Sequence, residues 1–422
     1  MSTVPTPEVY TDNEVRGSGE RAEQAAPNLN VGLLTGGFDR PYVFGLATAL
    51  ASQGVCLEVI GGDEVDRPEL HVPPRLKFLN LRGSGQPGDS LREKAARLLI
   101  YYLRLIRYAA VAEPKIFHIL WNNKFQFFDR TVLMLYYKAL GKKVAFTAHN
   151  VNAGRRDAKD SILNRFSLRV QYRVADHIFV HTEKMKQELI ADFHVDENAV
   201  TVIPFGLNNS VPDTNLTPEE AKRRLGVSSN ERVVLFFGAI RPYKGLEHLV
   251  AAFQQVSAKD ERYRLIIAGA AHRESEQYLR DIRNQIEMHP SRTRVIQKLE
   301  FVPDEQTELY FKAADVSILP YKLVFQSGVL FLSYNFGLPV IASDVGSFGE
   351  DIVAGKTGFV CKACDPRDLA RAIESYFASD LYRQLDRHRH KIREYTKRRN
   401  SWDVVAGRTC QVYASLLGGS CD

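Results

Sequence analysis

A chain of 422 residues has length for two domains or three, and its 45% hydrophobic and 25% charged content is that of an ordinary globular protein. A net charge of +6 is modest for this length and does not imply nucleic acid, which is not an expected partner. No apolar run approaches the ~18 residues of a membrane span, and the five cysteines (Cys56, Cys361, Cys364, Cys410, Cys421) are too few for a disulfide framework.

The N-terminus, MSTVPTPEVY, has neither a basic nor an apolar leader region, so a cytoplasmic location is expected. Residues 1–27 are rich in Pro, Glu and Ser and read as a disordered tail. The first strand is NVGLLTGG (30–37), ending at Gly36 and Gly37, and a helical pattern follows through FGLATALASQG. LEVIGG (57–62) and RLKFLNL (75–81) read as the next strands. The 91–110 segment, LREKAARLLIYYLRLIRYAA, reads as a long helix with Leu91, Ala95, Leu98, Tyr102, Leu105 and Ala109 on one apolar stripe. Lys94, Arg97, Arg104 and Arg107 gather opposite the stripe. The stripe suits packing on a sheet, and the cations suit peripheral contact with anionic lipid. Strands KIFHILW, KVAFTAHN and HIFVH then alternate with helices through RTVLMLYYKALG and SLRVQYRVA. Alternation of this kind argues for an α/β fold with a parallel sheet. GSGQPG (83–88) matches the dinucleotide fingerprint G-x-G-x-x-G, but it follows the third strand rather than the first, Pro87 interrupts its turn, and the expected downstream acid is absent.

After the strand VTVIPFG and a polar stretch, the alternation starts again with RVVLFFGAI, RLIIAGA, RVIQKLEFV, VSILPY and PVIASD. The boundaries expected are 28–206 for a first Rossmann-like domain, 207–395 for a second, and 396–422 for a closing helix that returns to the first. In VVLFFGAIRPYKG (233–245), Gly238 permits a tight turn, and Arg241 and Lys244 follow just before a helix. In an open parallel sheet, ligands bind at the carboxyl ends of the strands. An arginine fork and a lysine beside a helix start fit an anion such as a diphosphate there. Gln326-Ser327-Gly328 opens another helix, VLFLSYNFG, whose small first residues leave N–H groups free to face the same anion. Taken alone, it also reads as a simple N-cap with a turn glycine. Cys361-Lys-Ala-Cys364 has metal spacing, but no second pair or nearby histidine completes a site, and the two read as structural. YRQLDRHRHKIREYTKRRN (382–400) holds eight Lys/Arg against two acids and reads as a solvated helix face.

FFGAIRPYKGLEHLVAAF, LIIAG, FVPDEQTELYFKAADVSILPY and QSGVLFLSYNFGLPVIASDVGSFGEDIVAGKTGFV, in that order, resemble the retaining glycosyltransferases of family 4. The LTGG loop, FTAHN and IFVHTEKMKQEL…VTVIPFG extend the resemblance to about residues 30–418. It implies the GT-B fold, two Rossmann-like domains facing across a central cleft, and a nucleotide-sugar donor, UDP- or GDP-linked, held mainly by the second domain. By the same resemblance, Arg241 and Lys244 hold and stabilise the diphosphate as leaving group. Gln326, Ser327, Gly328 and Val329 contact phosphates and sugar. The backbone at Phe301 and Val302 lies near the base, Gly36 and Gly37 approach the donor or acceptor, and His149 sits near the transferring sugar. The acceptor implied is a hydroxyl of a growing or lipid-linked saccharide, and anomeric configuration is kept. Without the resemblance, His149 reads as a satisfied structural histidine at a strand end. The chain has no Asp-x-Asp, so neither a metal nor another cofactor is expected. The chain departs from the family at two places where it usually carries glutamates, here Val324 and Leu332, and Ala239 stands where an arginine usually follows the glycine. These departures motivate an alternative, a catalytically silent relative that binds nucleotide or saccharide.

Overall fold

A computed structural model describes residues 29–36, 39–85, 90–156, 160–208 and 211–418. Gly37, the 1–27 tail, Cys421 and most of the second half of GSGQPG lie outside the described residues. The first sheet contains β1 (Asn30–Leu34), β2 (Cys56–Gly61), β3 (Leu76–Asn80), β4 (Ile116–Ile119), β5 (Lys143–Thr147), β6 (His177–Val180) and β7 (Val200–Val202), in the order β3-β2-β1-β4-β5-β6-β7. The second contains β8 (Arg232–Phe237), β9 (Tyr263–Ala268), β10 (Val295–Lys298), β11 (Val316–Leu319), β12 (Val340–Ser343) and β13 (Gly358–Cys361), in the order β10-β9-β8-β11-β12-β13. Every pairing is parallel, with registers such as Val31↔Leu57 and Val234↔Leu265. Helices cover both faces of such sheets, so the central strands are apolar runs rather than alternations; Ile116–Ile119 and Val316–Leu319 are buried at every residue.

In each sheet the strand order reverses once, between β1 and β4 and between β8 and β11. Crevices outside the carboxyl ends of these strands are where such folds bind ligands. GSGQPG follows β3, an edge strand of the first sheet, well away from that reversal. β13 is not anticipated in the sequence. It is a four-residue edge strand whose Gly358 lies so close to β12 that a Cβ would fall 1.8 Å from the Val340 carbonyl oxygen.

The Leu91–Val111 helix starts at a capping box, in which the Ser90 Oγ accepts from the Glu93 N–H and the Glu93 carboxylate accepts from the Ser90 N–H at 2.7 Å. Its buried face is Tyr101, Tyr102, Leu105 and Ala109, with Leu98 packed beside them. Leu91 and Ala95 are exposed, so the expected stripe faces inward only from Leu98 onward, where the buried arc widens to take in Tyr101. The basic helix Leu385–Asn400 is partly structural. Arg389 is buried and donates to the carbonyls of Ala314 (2.5 Å) and Phe336 (3.1 Å), and Arg393 pairs with Asp213 at 2.9 Å.

The last helix, Trp402–Leu416, packs on the first sheet's side of the molecule. Trp402, Val405 and Tyr413 share one core cluster with Tyr42, Leu46 and Leu50 of the helix Arg40–Ser52. The Tyr413 hydroxyl hydrogen-bonds His118 Nδ1 at 2.5 Å. The Trp402 indole lies against Gly45 and Gly206, and its Nε1 donates to the Leu207 carbonyl at 2.6 Å.

Candidate functional site

A cavity of about 320 Å³ opens between the two sheets. From the first domain its walls take Asp39 and Tyr42, from the connection Phe205 and Asn208, and from the second domain Lys244 and the 324–329 loop.

The second-domain wall begins where β8 stops. Gly238 has φ +98°, and a Cβ there would sit 3.2 Å from the Lys244 Nζ and 3.5 Å from Val329, so these three residues form one corner. The chain then makes the single turn Pro242–Lys244 and passes Gly245, at φ +65° and pressed against the Pro320 carbonyl, into the helix Leu246–Lys259. Gly245, the N-cap residue, has no side chain to cap that helix start, and the Tyr278 hydroxyl accepts from the Glu247 N–H at 3.3 Å. Lys244 is 8% exposed, and its Nζ faces the Tyr321 ring at 5.4 Å without a carboxylate. Burial presses its ammonium below the ordinary value, Tyr243 pulls it back up, and the Arg241 charge presses it down again. Arg241 is half-buried, and its guanidinium forms no hydrogen bond or ion pair with any described residue. The acid in the helix's first turn, Glu247, is engaged by Lys322 and Tyr278. Two cations without counter-charge beside a helix start are an arrangement that an anion completes.

The neighbouring wall is the helix Gly328–Asn335. Ser327 is its N-cap, in extended conformation, and no side chain occupies the cap; the Ser327 Oγ lies 3.5 Å from the Tyr321 hydroxyl. Gln326 lines the cavity, and its Oε1 is sealed from solvent with no partner among the described residues. Val324 and Leu332 also line it, so two apolar side chains stand where carboxylates would alter the charge. Phe301 and Val302 do not line this cavity. Phe301 is 75% exposed, and Val302 turns into a core cluster with Leu332 and Phe336. Glu350 and Asp351 lie outside the lining as well, with the Asp351 carboxyl pushed up to about 6 chiefly by burial.

On the first-domain side, Gly36 has φ +63° and approaches Trp121 so closely that a Cβ would fall 2.5 Å from the Trp121 carbonyl oxygen. His149 follows β5 and stacks on the Trp121 ring at 4.0 Å and 5°, with Tyr42 edge-on at 4.7 Å. Its tautomer follows from its neighbours. The His181 Nδ1 lies 3.3 Å from the Ile203 carbonyl, which can only accept, so that nitrogen carries the proton. Burial holds the His181 ring neutral, with a pKa of about 4, so its Nε2 is a bare acceptor. The His149 Nδ1 therefore donates to it, at 3.0 Å. Burial first, then His181 and His118, hold the His149 pKa well below its ordinary value. Its Nε2 is thus an unprotonated acceptor, sealed from solvent and without a partner among the described residues. At neutral pH it can accept a hydrogen bond from a hydroxyl, and it is not a proton donor.

Several cavity residues carry little local signal in the sequence. Asp39 sits in the left-handed region (φ 42°) and caps the Arg40–Ser52 helix through the Tyr42 N–H at 3.2 Å. Phe205 stacks on Phe331 at 5.5 Å across the domain junction. His181 had a visible cue, since the strand HIFVH closes on a histidine much as FTAHN places His149 beside its end. Among the described residues no group of three or more His, Cys, Asp or Glu side chains is placed to hold a metal.

Residues 41–210 match the model of Glycosyltransferase Family 4, and residues 218–399 match that of Glycosyl transferases group 1. A glycosyltransferase of Methanocaldococcus jannaschii is 29% identical over 236 residues, an alignment that spans 55% of this chain and 58% of that protein. The D-inositol 3-phosphate glycosyltransferase of Corynebacterium efficiens is 22% identical over 90% of this chain and 91% of its own length. Sucrose-phosphate synthase from Thermosynechococcus elongatus superposes with a TM-score of 0.74 at 19% identity, covering 93% of this chain and all of that one. HepE of Anabaena, solved with UDP and glucose, superposes with a TM-score of 0.70 at 17% identity, covering 92% and 100%.

Proposed function

This chain belongs to the GT-B glycosyltransferases of family 4, and on that premise we propose that it moves a sugar from a UDP- or GDP-linked donor to a hydroxyl acceptor with retention. The acceptor class we propose is a growing or lipid-linked saccharide. What carries the reading is the pair Arg241 and Lys244, two cations without a carboxylate at a glycine turn before a helix.

In the proposed reaction the bond between the sugar C1 and the diphosphate oxygen breaks. The acceptor oxygen bonds to C1 on the same face, and its proton leaves with the diphosphate. Arg241, Lys244 and the N–H groups opening the Gly328–Asn335 helix stabilise the negative charge that develops on the leaving group. They supply what a chelated metal supplies elsewhere, so no metal takes part in the proposal. The His149 Nε2 accepts a hydrogen bond from a sugar hydroxyl and orients the ring. Gly36 and Gly238 let backbone approach the donor, and the Phe301–Val302 backbone stretch is assigned to the base.

A thermal-shift series against UDP, GDP, ADP, TDP and NAD, each with and without EDTA, tests this. A ligand at 100 times its Kd stabilises the native state by about 2.7 kcal/mol. The expected result is stabilisation by one nucleoside diphosphate, unchanged by EDTA. HepE was solved with UDP and with UDP-glucose, which makes uridine the first base to try. Val324 and Leu332 on the cavity wall favour a second reading, a silent relative that binds nucleotide without turning over. Donor hydrolysis or transfer by the purified protein rules that out. No shift with any nucleotide overturns the donor reading.

A further inference from the structure

The charge of this chain is unevenly placed. Residues 91–174 hold 17 Lys/Arg against 5 Asp/Glu, while the remainder holds 39 against 45. Ten of these 17 cations, against two of the acids, sit on three neighbouring helical elements of the first domain: Leu91–Val111, the run from Gln126–Phe128 through a π-helical turn Asp129–Leu133 into Met134–Ala139, and Ile162–Val174. Direct bonds join them. The Tyr102 hydroxyl donates to Asp129 at 2.9 Å, the Tyr136 hydroxyl to the Ile106 carbonyl at 3.1 Å, and the Arg130 guanidinium to the Asn164 side-chain oxygen at 2.8 Å.

Their outward sides carry large apolar groups in the open. Leu99 is 62% exposed, Leu103 59%, Phe127 44%, Leu135 54%, Leu163 59% and Phe166 54%. Between and beside them Arg92, Lys94, Arg107, Lys124, Arg169 and Arg173 are exposed and have no ion-pair partner among the described residues. We propose that this three-helix face docks the protein on an anionic lipid surface, with the leucines and phenylalanines entering the acyl boundary and the cations meeting headgroup phosphates.

The charge pattern separates lipid from a second copy of the chain. A two-fold interface sets a patch against itself, and here that would set the unpaired cations against one another. Protein interfaces are also depleted of charge at their cores, whereas this face mixes unpaired charge with its apolar groups throughout. Along the chain the face runs into the segment that carries Trp121: Phe125, 55% exposed, lies four residues after it, and the Trp121 ring stacks on His149. A hydroxyl carried on a lipid would then approach the His149 stack from the docked side of the first domain. That last step depends on the donor reading; the docking itself does not.

Flotation with vesicles of phosphatidylcholine alone, and with about 30% phosphatidylglycerol added, tests the docking. The wild type is expected to float with the anionic vesicles at low salt and to be released as salt rises. Leu99→Ser with Leu103→Ser, and separately Arg92→Glu with Arg107→Glu, are each expected to lower the bound fraction by about tenfold. Their melting temperatures, and any shift with nucleoside diphosphate, should match the wild type, because all four side chains are exposed and none lines the cavity. Two results overturn the proposal: wild type that stays unbound with both vesicles, or serine variants that float as well as wild type. Light scattering that shows a dimer, broken by Leu103→Glu and accompanied by no lipid binding, assigns the face to a second copy instead. Failure of nucleotide binding alone leaves the flotation result standing, so the two readings fall separately.

Discussion

Lys244 keeps a cation nearly out of water with only an aromatic face beside it, and Arg241 adds a like charge. Breaking a buried ion pair is costly because it strands a charge, and here the charge is already stranded. Replacing Lys244 by Met should therefore leave the unliganded protein at least as stable, while Lys244→Met and Arg241→Ala each weaken nucleoside diphosphate binding by about 1.5–3 kcal/mol. Urea unfolding and calorimetry check the two halves separately. A Lys244→Met protein that is less stable but binds normally would make this lysine a structural residue. At this scale the sequence reads well where chemistry is local. Gly238, Arg241 and Lys244 are close in sequence, as are Gln326, Ser327 and Gly328, and the corner that the two stretches share follows from β8 and β11 lying side by side. It reads poorly where residues meet from afar. Tyr42, Phe205 and Trp402 come together from three distant segments, and none has a local pattern that points to the others.

Trp402 shows what an element boundary can do. Its ring fills the space beside Gly45, in the first helix, and Gly206, in the connection between domains, and its Nε1 bonds the connection's backbone. A Cβ at Gly45 would lie 2.0 Å from the indole, and one at Gly206 2.4 Å. Neither glycine is needed for φ; both are needed for room. Gly45→Ala or Gly206→Ala should each cost about 1–3 kcal/mol in urea unfolding, the usual penalty of overpacking. An unchanged midpoint in both would mean that the last helix is loosely held at the junction. The elements themselves were largely legible. Parallel strands covered on both faces read as apolar runs, and Ser90 with Glu93 marks a helix start. β13 escaped because four residues at a sheet edge make no pattern of their own. The Leu91–Val111 stripe turns inward from Leu98 to Ala109 but not at Leu91 and Ala95, because helical spacing marks a face and not how far along it the packing extends.

At the scale of the whole molecule, four histidines are held uncharged. Burial lowers His118 to about 3, His177 and His181 to about 4, and His149 well below its ordinary value. Their unfolded pKa is about 6.5. Between the two values the unfolded chain binds protons that the folded one refuses, so the stability they contribute is complete above about pH 6.5 and is lost as pH falls. Each histidine adds a slope of at most about 1.4 kcal/mol per pH unit. Two carboxyls oppose this lower down. Asp129 and Asp351, both pushed up to about 6, take protons in the folded state before the unfolded one does, which favours folding as pH falls from about 6 to 4. The unfolding free energy should therefore begin to fall near pH 7 and keep falling to pH 5, with the carboxyls offsetting part of the histidine slope below about pH 6.5. Urea midpoints at half-unit steps from pH 7.5 to 5 measure this directly. A flat profile down to pH 5.5 would mean that these rings accept protons in the fold. It would then remove the ground for placing the proton of His149 on Nδ1, and with it the bare Nε2 offered to a sugar hydroxyl.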